Sequence, residues 1–231
     1  MAFREIVAPT VKELFIQQLE GMILSGELRP GDRLPTEREL ADEMKISKTV
    51  VHEGLRELHR LGFLDIASRR GVTVADYAQT GSLETLRAIM DFHGGLPDAK
   101  TAGSILQLRY YLEGPAMEEL AARHTPADMA ALQALQRQAE QAAQEGTDAL
   151  AEALFRYHRG ITFLSGNTIT PLLFNAFMQV NLEFWSGYIR SVGREESLRV
   201  LARFTELIAA GEGDRAAQLL DDGLRRFVTT L

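Results

Sequence analysis

Apolar residues at Val11, Leu14, Phe15, Leu19, Met22 and Ile23 recur at three- and four-residue intervals, which predicts a first helix from Thr10 to Ser25 with one buried stripe. Gly26 ends it. The following Leu28-Arg29-Pro30-Gly31-Asp32 is turn chemistry, with proline fixing φ and glycine reaching conformations other residues resist. Thr36-Glu37-Arg38-Glu39 then carries the spacing of a capping box, in which the Thr36 hydroxyl and the Glu39 carboxylate satisfy backbone N–H groups at a helix start. Leu40, Ala41 and Met44 give that second helix an apolar side. Ser47 is suited to cap a third helix that runs to about Leu61, with Val51, Leu55 and Leu58 on its inner face. Beyond Gly62, Phe63 to Ile66, Ser68-Arg69-Arg70-Gly71 and Val72-Thr73-Val74 read as strand, turn and strand. Two helices joined by a tight turn and followed by a small hairpin make a winged helix-turn-helix.

After Tyr77 the strand signal stops, and Ala78 to Ser82 reads as a short polar connection. Helical periodicity resumes at about Leu83 to His93, Ala102 to Arg123, Pro126 to Glu145, Asp148 to Leu164, Thr168 to Val192, Glu195 to Ala210 and Asp214 to Thr230. Gly94-Gly95, Thr125-Pro126, Gly166, Gly193 and Gly211 punctuate these runs. The expected fold is mainly α: a winged helix-turn-helix over 1–77, a linker and interdomain helix over 78–100, and an all-helical bundle of about seven helices completed by 101–231. Gly94-Gly95 is expected to permit hinge movement.

Composition agrees with two globular domains in 231 residues, since 45% hydrophobic and 25% charged residues suffice for packed cores. No run approaches the roughly 18 consecutive apolar residues of a membrane span, and the first residues lack a signal-peptide pattern, so a cytoplasmic location and no membrane partner are expected. The absence of cysteine excludes disulfides, thiolate metal sites and cysteine nucleophiles. No HExxH, P-loop or nucleophile-elbow pattern occurs, so no enzyme is expected.

A net charge of −7 gives no help to nucleic-acid binding, which must rest on a local basic surface. Between Ser47 and Arg70, five cations (Lys48, Arg56, Arg60, Arg69, Arg70) stand against three anions (Glu53, Glu57, Asp65). A helix-turn-helix presents the first residues of its second helix to base edges. Ser47, Lys48, Thr49 and His52 occupy those positions, Arg38 is placed to reach phosphate, and Arg69, Arg70 and Gly71 form the wing tip. Such cations on small helices also occur as merely solvated residues.

The run Leu28-Arg29-Pro30-Gly31-Asp32-Arg33-Leu34-Pro35-Thr36-Glu37-Arg38-Glu39-Leu40-Ala41 resembles the signature of the GntR family of transcription regulators, and the similarity extends over about Val11 to Val74. The resemblance implies contacts to double-stranded DNA at Arg38, Lys48, Thr49, His52, Arg70 and Gly71, and a homodimer on an operator. Lys48 and His52 stand where arginine is usual in the family, which implies a different operator or affinity.

From Ala102 onward, Leu108-Arg109-Tyr110-Tyr111-Leu112-Glu113, Ala121-Ala122-Arg123, His158 and Ser165-Gly166-Asn167 resemble the helical effector domain of the FadR subfamily. Many such domains bind a metal through an Asp four residues before a first His and two later His. Here Leu154 holds the Asp position, Phe204 a His position, and no histidine follows His158, so neither metal nor cofactor is expected. His158 then reads as a pocket or core histidine. Arg159 to Asn167 and Ser82 to Leu86 are similar to the fatty-acid-responsive members, which implies a fatty acid or acyl-CoA effector. Arg109 is the candidate for its anionic group, or else a surface ion pair; Phe163, Trp185 and Tyr188 are candidate pocket walls, or else ordinary core. The alternative is a small organic acid, with or without a metal held by Glu113 or Asp148 and His158. The chain is thus expected to be a ligand-responsive repressor.

Overall fold

The structure, a computed structural model, describes residues 8–67, 71–92 and 99–228. It divides into two compact units, Met1–Gly94 and Gly95–Leu231.

In the first unit, α1 (Val11–Leu24) and α2 (Glu37–Met44) each begin with a reciprocal capping box, Thr10 with Glu13 and Thr36 with Glu39. The Thr36 amide donates to Glu39 Oε2 at 2.7 Å and the Glu39 amide to Thr36 Oγ1 at 3.3 Å, so two donors that helix geometry strands are both satisfied. Lys45, at φ 52°, turns the chain out of α2, and Ser47 caps α3 (Lys48–Arg60). The stripes meet as the periodicity predicts: Phe15, Leu19 and Ile23 pack with Leu40, Val51, Leu55 and Leu58. Phe15 lies so close to Gly54 that a Cβ there would fall 2.3 Å from its ring, so α1 crosses α3 where α3 has no side chain.

The wing is an antiparallel pair, β1 (Leu64–Ala67) and β2 (Gly71–Val74), in register Leu64↔Val74 and Ala67↔Gly71. The segment read as a turn does more than reverse the chain. Arg33 bridges Thr73, Leu34 donates to the Val72 carbonyl and Gly31 to the Val74 carbonyl, so this stretch adds a third rung to the wing.

Two expectations for the connection need correction. Tyr77 to Thr80 forms a short helix, α4, within the stretch read as a polar linker, because the Tyr77 ring packs edge-on against Phe63 at 5.6 Å and anchors the chain. Helix α5 (Leu83–Phe92), read as interdomain, packs against α1 within the first unit, with Ala88 and Ile89 against its core. The Gly94-Gly95 hinge lies outside the described residues.

The second unit is helical throughout its described residues: α6 (Ala99–Arg123), α7 (Pro126–Glu145), α8 (Thr147–Leu164), α9 (Thr170–Ala176), α10 (Met178–Val192), α11 (Arg194–Ala209) and α12 (Gly213–Val228). Helix α6 pairs with α12, and α8 lies between α7 and α10. Met117, Leu132, Leu150, Leu154, Tyr157 and Ile161 are central to the core. The helix expected over 168–192 is broken at Phe177, whose backbone (φ −102°, ψ 19°) leaves the helical path. Neither glycine nor proline marks this break. One tertiary and one local contact hold it: Phe174 stacks on Phe155 at 5.3 Å, and Asn181 Nδ2, four residues on, donates to the Phe177 carbonyl at 2.9 Å. Counting from Leu83, the described residues therefore form eight helices, where the pattern predicts seven.

The close crossing gives a paired prediction. Gly54→Ala forces the buried Phe15 ring to shift and is expected to cost about 1–3 kcal/mol, the range for overpacking a tight core. At Gly160 a Cβ would approach only the tip of the half-buried Leu135 side chain, which can turn aside. Gly160→Ala is expected to cost less than about 1 kcal/mol, because alanine's helix propensity offsets the contact. Denaturant unfolding of the two variants measures the difference.

Candidate functional sites

The outer face of α3 is built by exclusion. Val51, Gly54, Leu55 and Leu58 face the core, which leaves Lys48, Thr49, His52, Glu53 and Arg56 exposed on the other side. The Ser47 hydroxyl accepts from the Val50 amide at 3.3 Å, so this residue starts the helix and stands beside its electropositive end. Lys48 and His52, four residues apart, share one stripe. Across from them, Glu37 at the start of α2 lies 2.8 Å from His52 Nδ1, a contact the sequence reading missed because the two residues are 15 apart. Arg38 is exposed, with only a 3.8 Å approach to Asp42.

Gly71 opens β2 at φ +80°, a left-handed conformation that favours glycine, and a Cβ there would stand 3.3 Å from the Arg33 guanidinium. The Arg33 guanidinium thus lies at the tip end of β2, a second residue the sequence reading passed over. Its signal was the extended segment after the turn. Arg69 and Arg70 lie outside the described residues.

The second site is buried. Arg109 on α6, 4% exposed, bonds through Nε to Glu113 Oε1 one turn later, and His158 Nδ1 on α8 lies 2.7 Å from Glu113 Oε2. Burial pushes the Glu113 carboxyl up, but the Arg109 guanidinium and then His158 outweigh it and hold it at about 2. Burial also pushes His158 below its ordinary range, against the pull of Glu113. A neutral imidazole beside an ionised carboxylate carries its proton on Nδ1 and donates it to Glu113, which leaves Nε2 an acceptor. Aromatic rings close the cluster. The Arg109 guanidinium lies 4.2 Å from the Trp185 ring centre, and His158 packs 4.7 Å from Trp185 and 5.4 Å from Phe204. Among the described residues, two buried donors, Arg109 Nη1 and Trp185 Nε1, have no hydrogen-bond partner.

His158, Trp185 and Tyr188 line one cavity with Leu154, Phe204 and Leu224. Its volume of about 30 Å³ has room for little more than one water, so a larger guest requires the walls to part. Three expectations change. Arg109 is not a surface ion pair but a buried one, and it lines a separate, smaller cavity with Leu112 and Phe177. Phe163 is 70% exposed and lines neither cavity, because α8 turns that position outward near its end. The alternative metal ligands do not assemble. Asp148 is exposed and ten residues from His158 on one helix, about 15 Å along its axis. The donor set does not fit a metal, since Glu113 is already engaged by a cation and Leu154 and Phe204 pack at His158 in place of ligands. Among the described residues, no three His, Asp or Glu side chains are grouped to hold one.

Residues 12–74 match the family model for bacterial regulatory proteins of the gntR family, and residues 104–226 match the FCD domain. Residues 12–74 carry the gntR family's helix-turn-helix domain, and the FCD domain, which spans more than half of the chain, follows it. It is 31% identical over 132 residues to the HTH-type transcriptional regulator Mce2R of Mycobacterium tuberculosis, a match over 57% of this chain and 54% of that one. The chain thus spans about half the length of the mycobacterial regulators it matches. It is 25% identical to a fatty acid metabolism regulator protein of Klebsiella pneumoniae over 86% of this chain and 81% of that protein. Among solved structures, Lar of Listeria monocytogenes shares the fold with a TM-score of 0.61 at 16% identity, over 97% of both chains.

Glu113→Gln is expected to destabilise the second unit by about 3–5 kcal/mol, because it leaves the Arg109 charge buried without its counter-ion. The wild-type carboxylate stabilises the fold above the ordinary carboxyl range, and this contribution is lost as pH falls toward about 2. Urea unfolding of both proteins across acid pH measures it; the gap narrows as pH falls.

Proposed function

We propose that this protein is a transcription regulator that binds an operator in double-stranded DNA as a homodimer and changes its affinity when a small molecule enters the FCD domain. The observation that carries the reading is the coincidence of the gntR match, residues 12–74, with a third helix whose first turn leaves Lys48 and Thr49 exposed. In this reading Lys48, Thr49 and His52 contact base edges, while Arg38, Ser47 and Arg33 contact backbone and the wing residues Arg69, Arg70 and Gly71 follow the adjacent groove. Exposed Tyr111, Phe163 and Leu172 on the second unit support pairing with a second copy. Two modest half-site affinities then combine on one duplex, which suits a chain of net charge −7. The regulator acts as a repressor in the cytoplasm; among the described residues no helix is long and apolar enough to cross a membrane.

The effector is a fatty acid or its acyl-CoA thioester. The names of relatives such as the Klebsiella pneumoniae protein and the apolar lining around Trp185 support this. The unpaired donors Arg109 Nη1 and Trp185 Nε1 favour a guest with an acceptor oxygen, a feature that a small organic acid shares. Since the cavity is small when closed, the ligand acts by favouring a state in which it is open.

In a mobility-shift assay with DNA from its own promoter region, Lys48→Ala with Thr49→Ala is expected to weaken specific binding about 10- to 100-fold, as loss of base contacts does. Equal binding by the variant would refute the assigned contacts. Trp185 is the single tryptophan, so its fluorescence reports on the cavity directly. Titration with an acyl-CoA should change its emission and release the operator. A response to a small dicarboxylate but to no acyl-CoA would select the organic acid.

A further inference from the structure

Where α1, α3 and α5 meet, a cavity of about 420 Å³ is lined by Glu20 from α1, by Glu57 and Arg60 from α3, and by Glu84, Arg87 and Asp91 from α5. Glu20 is 7% exposed. Among the described residues it has no hydrogen-bonded or ion-paired partner, and the charges acting on it are those of Asp91 and Glu57, both of its own sign. The arginines are engaged elsewhere: Arg60 holds Glu57 at 2.7 Å and Glu84 at 2.5 Å, and Arg87 lies 3.7 Å from Asp91. One residue along α1, the Phe92 ring of α5 stands 3.3 Å from where a Cβ on Gly21 would be, so α5 rests on α1 beside this carboxyl.

A protonated Glu20 fits this place as a neutral wall of the junction. An ionised Glu20 is a third carboxylate beside Glu57 and Asp91, withdrawn from water and with no cation left to balance it. We propose that Glu20 is a proton-operated latch that sets how firmly α5, the last helix before the effector unit, is held on α1 and α3 of the DNA-reading unit. Protonation holds α5 down, and ionisation loosens it. Burial, then Asp91, then Glu57 push the Glu20 carboxyl up to about 7, so the latch works near neutral pH. Because the packed state raises this pKa, the added stability is full at and below the ordinary carboxyl range and is lost as pH rises through about 7.

The test is amide hydrogen exchange of α5 in the full-length protein, wild type against Glu20→Gln, which mimics the protonated form without its titration. The ratio of wild-type to variant exchange rates in α5 is expected to rise about tenfold between about pH 5.5 and about pH 8. Comparison at each pH cancels the intrinsic exchange chemistry. A ratio that does not change with pH overturns the proposal. NMR titration of the Glu20 carboxyl in wild type and in Asp91→Asn gives a check that does not depend on how the glutamine variant folds. A midpoint near neutrality that falls in Asp91→Asn supports the latch; a midpoint in the ordinary carboxyl range overturns it.

Discussion

The ion pair between Arg109 and Glu113 is the constraint on which the second unit depends. Two opposite charges removed from water cost several kcal/mol each unless each is the other's partner and remaining lone pairs are used. Glu113 meets that condition with Arg109 on one side and His158 on the other. Trp185 then covers the guanidinium and the imidazole together. Helices α6, α8 and α10 are thereby fixed to one another by groups that none of them can release singly. The pair is part of the framework.

The same chemistry limits what the cavity can hold. With Glu113 engaged and Leu154 and Phe204 packed around His158, the region presents an apolar surface and two unspent donors rather than a set of metal ligands. The cavity has room for little more than a water.

The first unit obeys the opposite logic. Its inner face is packed to the point that α3 needs a glycine where Phe15 crosses it, and this tight inner contact fixes which residues look outward. Lys48, Thr49 and His52 are presented because Val51, Leu55 and Leu58 are not free to turn. Glu20 is the exception to this order: a carboxyl at an otherwise apolar position of α1, kept where three helices converge and given no partner.

The sequence by itself determined the elements of the first unit, because capping boxes, a proline-glycine turn and short amphipathic stripes are local signals, readable over a few residues. It also determined most helices of the second unit, for the same reason. It did not determine the break at Phe177, the short helix at Tyr77 or the third rung of the wing, since each is held by a partner distant in the chain or by a backbone bond that leaves no compositional mark. The candidate sites divide the same way. Ser47, Lys48 and Thr49 were legible from their position at a helix start. Only tertiary structure decided that Glu37 meets His52, that Arg33 lies against Gly71, that Phe163 faces outward and that Glu113 neutralises Arg109. Side-chain pairing across helices depends on crossing and rotation, and those are fixed by the packed core as a whole.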